Sequence, residues 1–315
     1  MTARPPDRLT APDRPPAFIG VDAGGSHTMV VFGDGGLHVL ARAEGPASRV
    51  SPGAAVTSAA VIVELVRRAA RQAERALPAA AMVVGAAGAG REAEQRELEA
   101  ALEPAGLAEH VRVIGDAEIA LTAAFGDAPG ILVSAGTGSI AYARDPAGRL
   151  HRSGGYGWQM GDEGGGYWLG RWALTEAGAA HDGRAEGSTL PTRLLAALGL
   201  HEFDDLVRWA ATATPMQVAS LAPHVLNAAV EGEVVARRAV NEGALALAAL
   251  VGVKLAHFPG GDPVPVAAGG GLLRSTSPVL EALRTALSRS HPRAQVSAVP
   301  LDPAAGALRL AARGR

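Results

Sequence analysis

Two stretches of this chain repeat one plan, and that repetition limits the folds open to it. IGVDAGGSHTMVVF, residues 19–32, and ILVSAGTGSIAYA, residues 131–143, each read as an apolar strand, a tight glycine turn and a second apolar strand. Short apolar runs on either side of turn residues predict β-hairpins. In the first half, runs at 17–22 and 28–33 lead through GDGG at 33–36 to a third run at 37–43. In the second half, a third strand around 149–152 completes the same meander. Two halves that open alike predict an internal duplication, cut near GDAPG at 126–130. With 315 residues the chain also exceeds one ordinary core, so two domains suit its length.

The remaining segments fill in an α/β plan. GPASRVSPG, residues 45–53, is a loop, and residues 54–77 place Val56, Ala60, Val63, Val66 and Ala70 at helical spacing. A short buried strand at 81–88, an amphipathic helix at 91–102, a strand at 111–115 and a helix at 117–125 follow. Residues 164–258 are mostly helical. A strand running into glycines at 264–273, a helix at 277–288, a strand at 295–299 and a helix at 302–312 close the pattern, with Pro303 in the first turn of the last. The first sixteen residues, MTARPPDRLTAPDRPP, are rich in proline with no apolar core, and read as a disordered leader rather than a signal peptide.

Composition removes several classes of chemistry. Apolar residues make up 48% and charged residues 19%, as in an ordinary globular protein. A formal net charge of −2 gives no reason to expect nucleic acid or an anionic membrane as partner. No run of 18 apolar residues is free of glycine and charge, so no membrane-spanning helix is predicted and the cytoplasm is the expected location. Lys254 is the sole lysine, which excludes the Gly-Lys-Ser/Thr of a P-loop and the strand lysine of a protein kinase. Cysteine is absent, so disulfides, thiolate zinc sites and Cys-ligated iron–sulfur clusters are excluded. The nine histidines contain no i, i+4 pair for a helical metal site.

Five groups of residues carry candidate chemistry. The first turn joins Asp22, at the exit of its strand, to Gly24, Gly25, Ser26, His27 and Thr28, and bare glycine backbone there suits a phosphate. The second turn, Gly136, Thr137 and Gly138, loosely matches a dinucleotide fingerprint, but that motif needs a helix next and SIAYARD alternates like a strand. Gly269, Gly270 and Gly271 follow a strand and allow close approach of a flat group such as a nucleotide, or form a flexible loop. Asp116, between VRVIG and a helix, reads either as an N-cap or as a carboxylate at the mouth of an open sheet, able to take a proton from an attacking hydroxyl. GGYGWQMGDEGGGYWLG, 154–170, combines aromatic rings with Asp162 and Glu163. It reads as a carbohydrate platform or as a packed turn before a helix.

Taken in order, these motifs resemble the acetate and sugar kinase, Hsp70 and actin superfamily, and within it the N-acetylglucosamine kinases grouped with the BadF/BadG/BcrA/BcrD ATPases. VDAGGSHT is similar to the first phosphate motif, SAGTGSIAYA to the second, AAGGGLL to the adenosine motif, GDAEIALTAA to the segment of the catalytic aspartate, GGYGWQMGDEGGGYWLG to the Gly-Asp-Glu-Gly signature and DPAAGALRLA to the closing helix. The resemblance implies two ribonuclease H-like domains, 17–127 and 128–315, around a central cleft, with the last helix able to pack back on the first domain. It implies Mg²⁺ on Asp22, ATP on both glycine turns and on Gly269 to Gly271, and Asp116 as base. It also implies an amino sugar held by Ser48, Asp116, Gly155, Tyr156 and Asp162, and a homodimer. Family members commonly carry Asn where this chain has Ser48, whose hydroxyl offers one donor against the amide's two. The expected activity is phosphorylation of the 6-hydroxyl of N-acetylglucosamine. Glucosamine, glucose or N-acetylmuramic acid are alternatives, and a sugar-binding regulator without catalysis is a further one. The electron-transfer ATPases of the same fold need cysteine ligands that this chain lacks.

Overall fold

The structure, a computed structural model, describes residues 15–25, 27–51, 53–185, 187–298 and 301–314. Most of the proline-rich leader and Ser26 of the first turn lie outside the described residues. One compact unit ends at Ala123 and takes in the chain again from Asp302, and the other is Ala124–Leu301.

The first unit runs β1 (Ala17–Ala23), β2 (His27–Asp34), β3 (Val39–Pro46), α1 (Ala55–Gln72), β4 (Ala79–Ala86), α2 (Glu92–Leu102), β5 (Ala108–Gly115) and α3 (Asp116–Phe125). Its sheet has the order β3-β2-β1-β4-β5, with β1, β4 and β5 parallel and β2 and β3 antiparallel. Two features of the turns differ from the sequence reading. The third strand starts at Val39 rather than 37, because the Asp34 carboxylate accepts the N–H groups of Gly36 and His38 while Leu37 takes a φ of 64°. The first helix stops at Gln72 rather than 77, where Glu74 turns left-handed at φ 51°.

β1 is apolar from Ala17 to Val21 because both faces of its sheet are covered. Ile19 and Val21 face a layer that includes Ile62, Leu65 and Val66 of α1 and Leu98 and Leu102 of α2. Phe18, Val31 and Val83 face the opposite way, onto Ile119 of α3 and the final helix, α11 (Pro303–Arg313). That final helix therefore packs with residues 17–127. Its backbone lies directly on the strand: a Cβ at Gly20 would stand 2.2 Å from the Ala304 carbonyl oxygen and 2.3 Å from the Leu308 nitrogen. On its other side, a Cβ at Gly306 would stand 2.1 Å from the Ile119 carbonyl oxygen.

The second unit runs β6 (Gly130–Ala135), β7 (Ser139–Arg144), β8 (Leu150–Gly154), α4 (Gly166–His181), α5 (Leu190–Leu198), α6 (Phe203–Thr212), α7 (Pro215–Ala219), α8 (Ala222–Val230), α9 (Val234–Leu255), β9 (Val264–Gly269), α10 (Pro278–Ser290) and β10 (Ala294–Ala298). Its sheet has the order β10-β9-β6-β7-β8, again with three parallel strands and a two-strand antiparallel extension. Overlaying β6 on β1 reproduces the first sheet strand for strand, so the duplication expected from the two hairpins is present as a repeated strand order. The six helices from α4 to α9 fall between β8 and β9, where the first unit has a single helix between β3 and β4.

Gly306→Ala separates packing from helix propensity. Alanine in a helix interior would otherwise stabilise by up to about 1 kcal/mol, but here the added methyl meets the Ile119 carbonyl. We expect a net loss of about 1–3 kcal/mol, read as a lower urea midpoint of unfolding.

Candidate active site

In the first unit, strand register brings two carboxylates to one edge. Asp22 pairs with Gly85 of β4, and Gly85 with Ile114 of β5. Ala86 pairs with Gly115, the residue before Asp116. Asp22 and Asp116 thus sit at the carboxyl ends of strands two apart, where open α/β sheets bind ligands. The Asp22 carboxyl is pushed up to about 6, chiefly by burial, with the fields of Asp116 and Asp302 adding to the rise and His27 opposing it. Asp302 is a third acid at this edge that sequence reading missed. Its Oδ1 caps α11 by accepting the Ala305 N–H, and its Oδ2 accepts from Arg42 at 2.5 Å. Asp-Pro before an apolar run gave only a helix-start signal. Asp116 is the first residue of α3 and partly exposed.

The first glycine turn is fixed from one side. Gly24 donates to the His27 carbonyl, and the Gly24 carbonyl accepts the Ser48 N–H. A trans peptide holds its C=O and N–H on opposite sides, so the Gly25 N–H points away from the Ser48 loop. Gly25 and His27 are exposed. Thr28 and Ser48 are buried instead. Thr28 Oγ1 donates to the Pro46 carbonyl at 2.7 Å, so it accepts the Ser48 hydroxyl proton across the 2.6 Å contact between them. The hydroxyl proton of Ser48 is therefore spent inside the protein. The loop bearing Ser48 is zipped to the end of β4, with Val50 donating to the Ala87 carbonyl at 2.8 Å.

In the second unit, three glycine segments converge on the second turn. The Gly136 carbonyl accepts the Gly166 N–H at 2.7 Å and the Thr137 carbonyl accepts the Tyr167 N–H at 2.9 Å, so the first amides of α4 hold the turn from behind. The same peptide geometry then sends the N–H groups of Thr137 and Gly138 away from α4, which is how a turn presents donors to an anion. A Cβ at Gly270 would stand 2.3 Å from the Ala135 carbonyl oxygen, so the Gly269 to Gly271 segment abuts the entry to this turn.

Asp162 braces the turn as well. Its carboxylate accepts the N–H groups of Ser139 and Gly157, and its Oδ2 lies 2.3 Å from where a Gly138 Cβ would be. Burial raises its pKa, Glu163 adds to the rise, and the two amides and Arg152 oppose it. Ser139 Oγ donates to the Glu163 carbonyl at 2.7 Å, and Gly155 N–H donates to the Ser139 carbonyl at 2.9 Å. Tyr156 stands 62% exposed on the same loop. Sequence reading placed Asp162 beside the aromatic residues but missed its backbone partners.

A scan against protein families matches residues 19–311 to the BadF/BadG/BcrA/BcrD ATPase family. The chain belongs to this family. An N-acetylmuramic acid/N-acetylglucosamine kinase of Clostridium acetobutylicum is 30% identical, the match covering 93% of this chain and 97% of the relative. An N-acetyl-D-glucosamine kinase of Dictyostelium discoideum is 26% identical over the same shares of the two chains. Among solved structures, a candidate N-acetylglucosamine kinase of Chromobacterium violaceum superposes with a TM-score of 0.76 at 30% identity, covering 94% of this chain and 99% of that one. A Streptomyces griseus ROK glucokinase solved with glucose and AMPPNP superposes at 0.59 and 20% identity, covering 95% and 100%, a likeness of fold. The architecture is that of the actin-like ATPases, two duplicated α/β units with helical additions in the second. Among the described residues no helix is long and apolar enough to cross a membrane.

The raised Asp22 pKa has a direct consequence for stability. Asp22 titrates near 3.8 when unfolded and about 6 when folded, so the folded state holds the proton more tightly and ionisation at neutral pH opposes folding. Asp22→Asn should therefore raise the stability of the first unit at pH 7.5 by on the order of 2–3 kcal/mol. The gain should fade as pH falls through 6 and be gone below 4, as followed by urea unfolding at each pH.

Proposed function

We propose that this chain is an ATP-dependent kinase that transfers the γ-phosphoryl group to the 6-hydroxyl of N-acetylglucosamine. N-acetylmuramic acid is an alternative acceptor that the Clostridium relative keeps in view. The observation that carries the reading is the pair Asp22 and Asp116, set by strand register at one sheet edge and close enough for Asp116 to raise the Asp22 pKa. Two carboxylates at one edge, Asp22 buried with its pKa pushed up to about 6 and Asp116 heading α3, suit two different tasks.

In this reading Asp116 is the base. It accepts the proton of the sugar hydroxyl as that oxygen bonds to the γ-phosphorus and the bond to the ADP oxygen breaks. The outward N–H groups of Gly25, Thr137 and Gly138 hold phosphate oxygens, which fits a chain without a phosphate-binding lysine motif. Gly271, where an added Cβ would meet nothing within 4 Å, leaves room for the nucleoside, and Tyr156 offers a ring to an apolar sugar face. Asp162 and Gly155 fix the loop that carries Tyr156, and Ser48 contributes shape rather than a donor.

Magnesium fits the acidic edge of the first unit. The donors there are all carboxylate oxygens, and a cation would relieve the electrostatic cost that raises the Asp22 pKa. When bound, it neutralises charge on the transferring phosphoryl group.

An ADP-release assay across N-acetylglucosamine, N-acetylmuramic acid, glucosamine and glucose tests the proposal. We expect the first two to stimulate ADP release most, and Asp116→Asn to lower kcat by roughly 10²–10⁴-fold with little change in the ATP KM. No stimulation by any of these sugars would end the kinase reading, and full turnover in Asp116→Asn would remove the assigned base.

A further inference from the structure

Arg152, in β8, is exposed and makes no contact with an acidic side chain short enough for an ion pair among the described residues, yet its guanidinium is not idle. Its Nε donates to the Gly154 carbonyl at 3.1 Å and its Nη2 to the Gly155 carbonyl at 2.7 Å. The same guanidinium carbon lies 5.2 Å from the centre of the Tyr156 ring, within cation–π range. Its positive field reaches Asp162, whose carboxylate it helps keep ionised.

The backbone around it explains why a clamp is useful. Gly154, Gly155 and Gly157 take φ values of 72°, 69° and 91°. A run of glycines in the left-handed region has many alternatives when released, so the path of this loop is not set by local sterics. The stem beneath is rigid. The Lys254 ammonium of α9, itself buried, donates to the Arg152 carbonyl at 2.9 Å, and Ser153 Oγ donates to the Leu250 carbonyl at 3.0 Å. Arg152 therefore stands where a fixed strand becomes a free loop, and a planar fork of donors fits two successive carbonyls in a way a point charge does not.

We propose that Arg152 is the positioning residue of the sugar side: it fixes the Gly154–Gly157 turn and holds the Tyr156 ring in place as the sugar-facing platform. Arg152 need not touch substrate. It sets where Tyr156 and, through Gly157, the Asp162 carboxylate stand before sugar arrives, so its loss is felt as poorer sugar binding rather than as slower chemistry. The inference rests on the kinase reading for its kinetic readout and stands apart from it for its structural one.

Arg152→Met keeps the length and packing of the stem and removes the fork and the charge. Arg152→Lys keeps the charge and loses the fork. With sugar and ATP varied in turn, we expect Arg152→Met to raise the sugar KM roughly 10- to 100-fold, with the ATP KM within about twofold of wild type. Arg152→Lys should fall between the two. Trp158, 43% exposed on the same loop, reports the loop once Trp168, Trp172 and Trp209 are replaced by Phe in both the wild-type and the variant background. Acrylamide quenching of tryptophan emission should rise in Arg152→Met without any ligand present. An unchanged sugar KM, an equal rise in both KM values, or unchanged quenching in a folded Arg152→Met would overturn the proposal. Should that variant fail to fold, Arg152→Lys decides, since a lysine enzyme indistinguishable from wild type would overturn it too. If wild type phosphorylates no sugar, the kinase reading falls instead, and the quenching comparison still tests the clamp.

Discussion

The second unit depends on one carboxylate tied to backbone. Asp162 takes the N–H groups of Ser139 and Gly157 while sitting against Gly138, so a single side chain holds the exit of the glycine turn and the aromatic loop together. It does so from a left-handed backbone, at φ 66°. Such a conformation is strained for a non-glycine residue, and the Ser139 and Gly157 N–H groups are the partners the carboxylate reaches from it. The first amides of α4 add their own bonds to the carbonyls of the same turn. The turn is thus rigid on the protein side, which is the condition for its remaining donors to act on a ligand without reorganising first.

The two halves share a strand order but solve the same problem differently. In the first unit the turn is steadied by a loop, through the Ser48 N–H on the Gly24 carbonyl and the chain of hydroxyls from Ser48 to Thr28 to Pro46. In the second it is steadied by a helix terminus and an aspartate. A duplicated fold therefore carries two unlike supports. This asymmetry follows from what comes after each hairpin: a short loop and one helix in the first unit, and the 154–165 segment with six helices in the second.

Much of the fold was legible because the hairpins are local. Strands flanking Gly24 and Gly136, the helix after Asp116 and the helix after Gly165 all follow from period and punctuation over a dozen residues. The unread parts are those in which one group meets another far along the chain. Asp302 approaches Asp22 only because α11 lies across β1, and Asp-Pro looks the same at the start of any helix. Thr28 and Ser48 read as polar turn residues, but the β2–β3 ladder buries both and joins them. Asp162 drew notice for its aromatic neighbours, while its partners are backbone amides that have no signature in sequence. Lys254, notable only as the sole lysine, supports β8 from a helix about a hundred residues later.

The return of the chain to its first sheet sets an order of events during synthesis. Phe18, Val31 and Val83 need Ala304, Ala307 and Leu308 to cover them. A ribosome adding about 5–20 residues per second makes all of Ala124–Leu301 before those residues exist, a wait of roughly ten to forty seconds. Until then that face of the first sheet has only α3 to cover it, while the second unit has every strand and helix it requires. The nascent chain should therefore complete its later half first, and its earlier half is the part that calls for a chaperone.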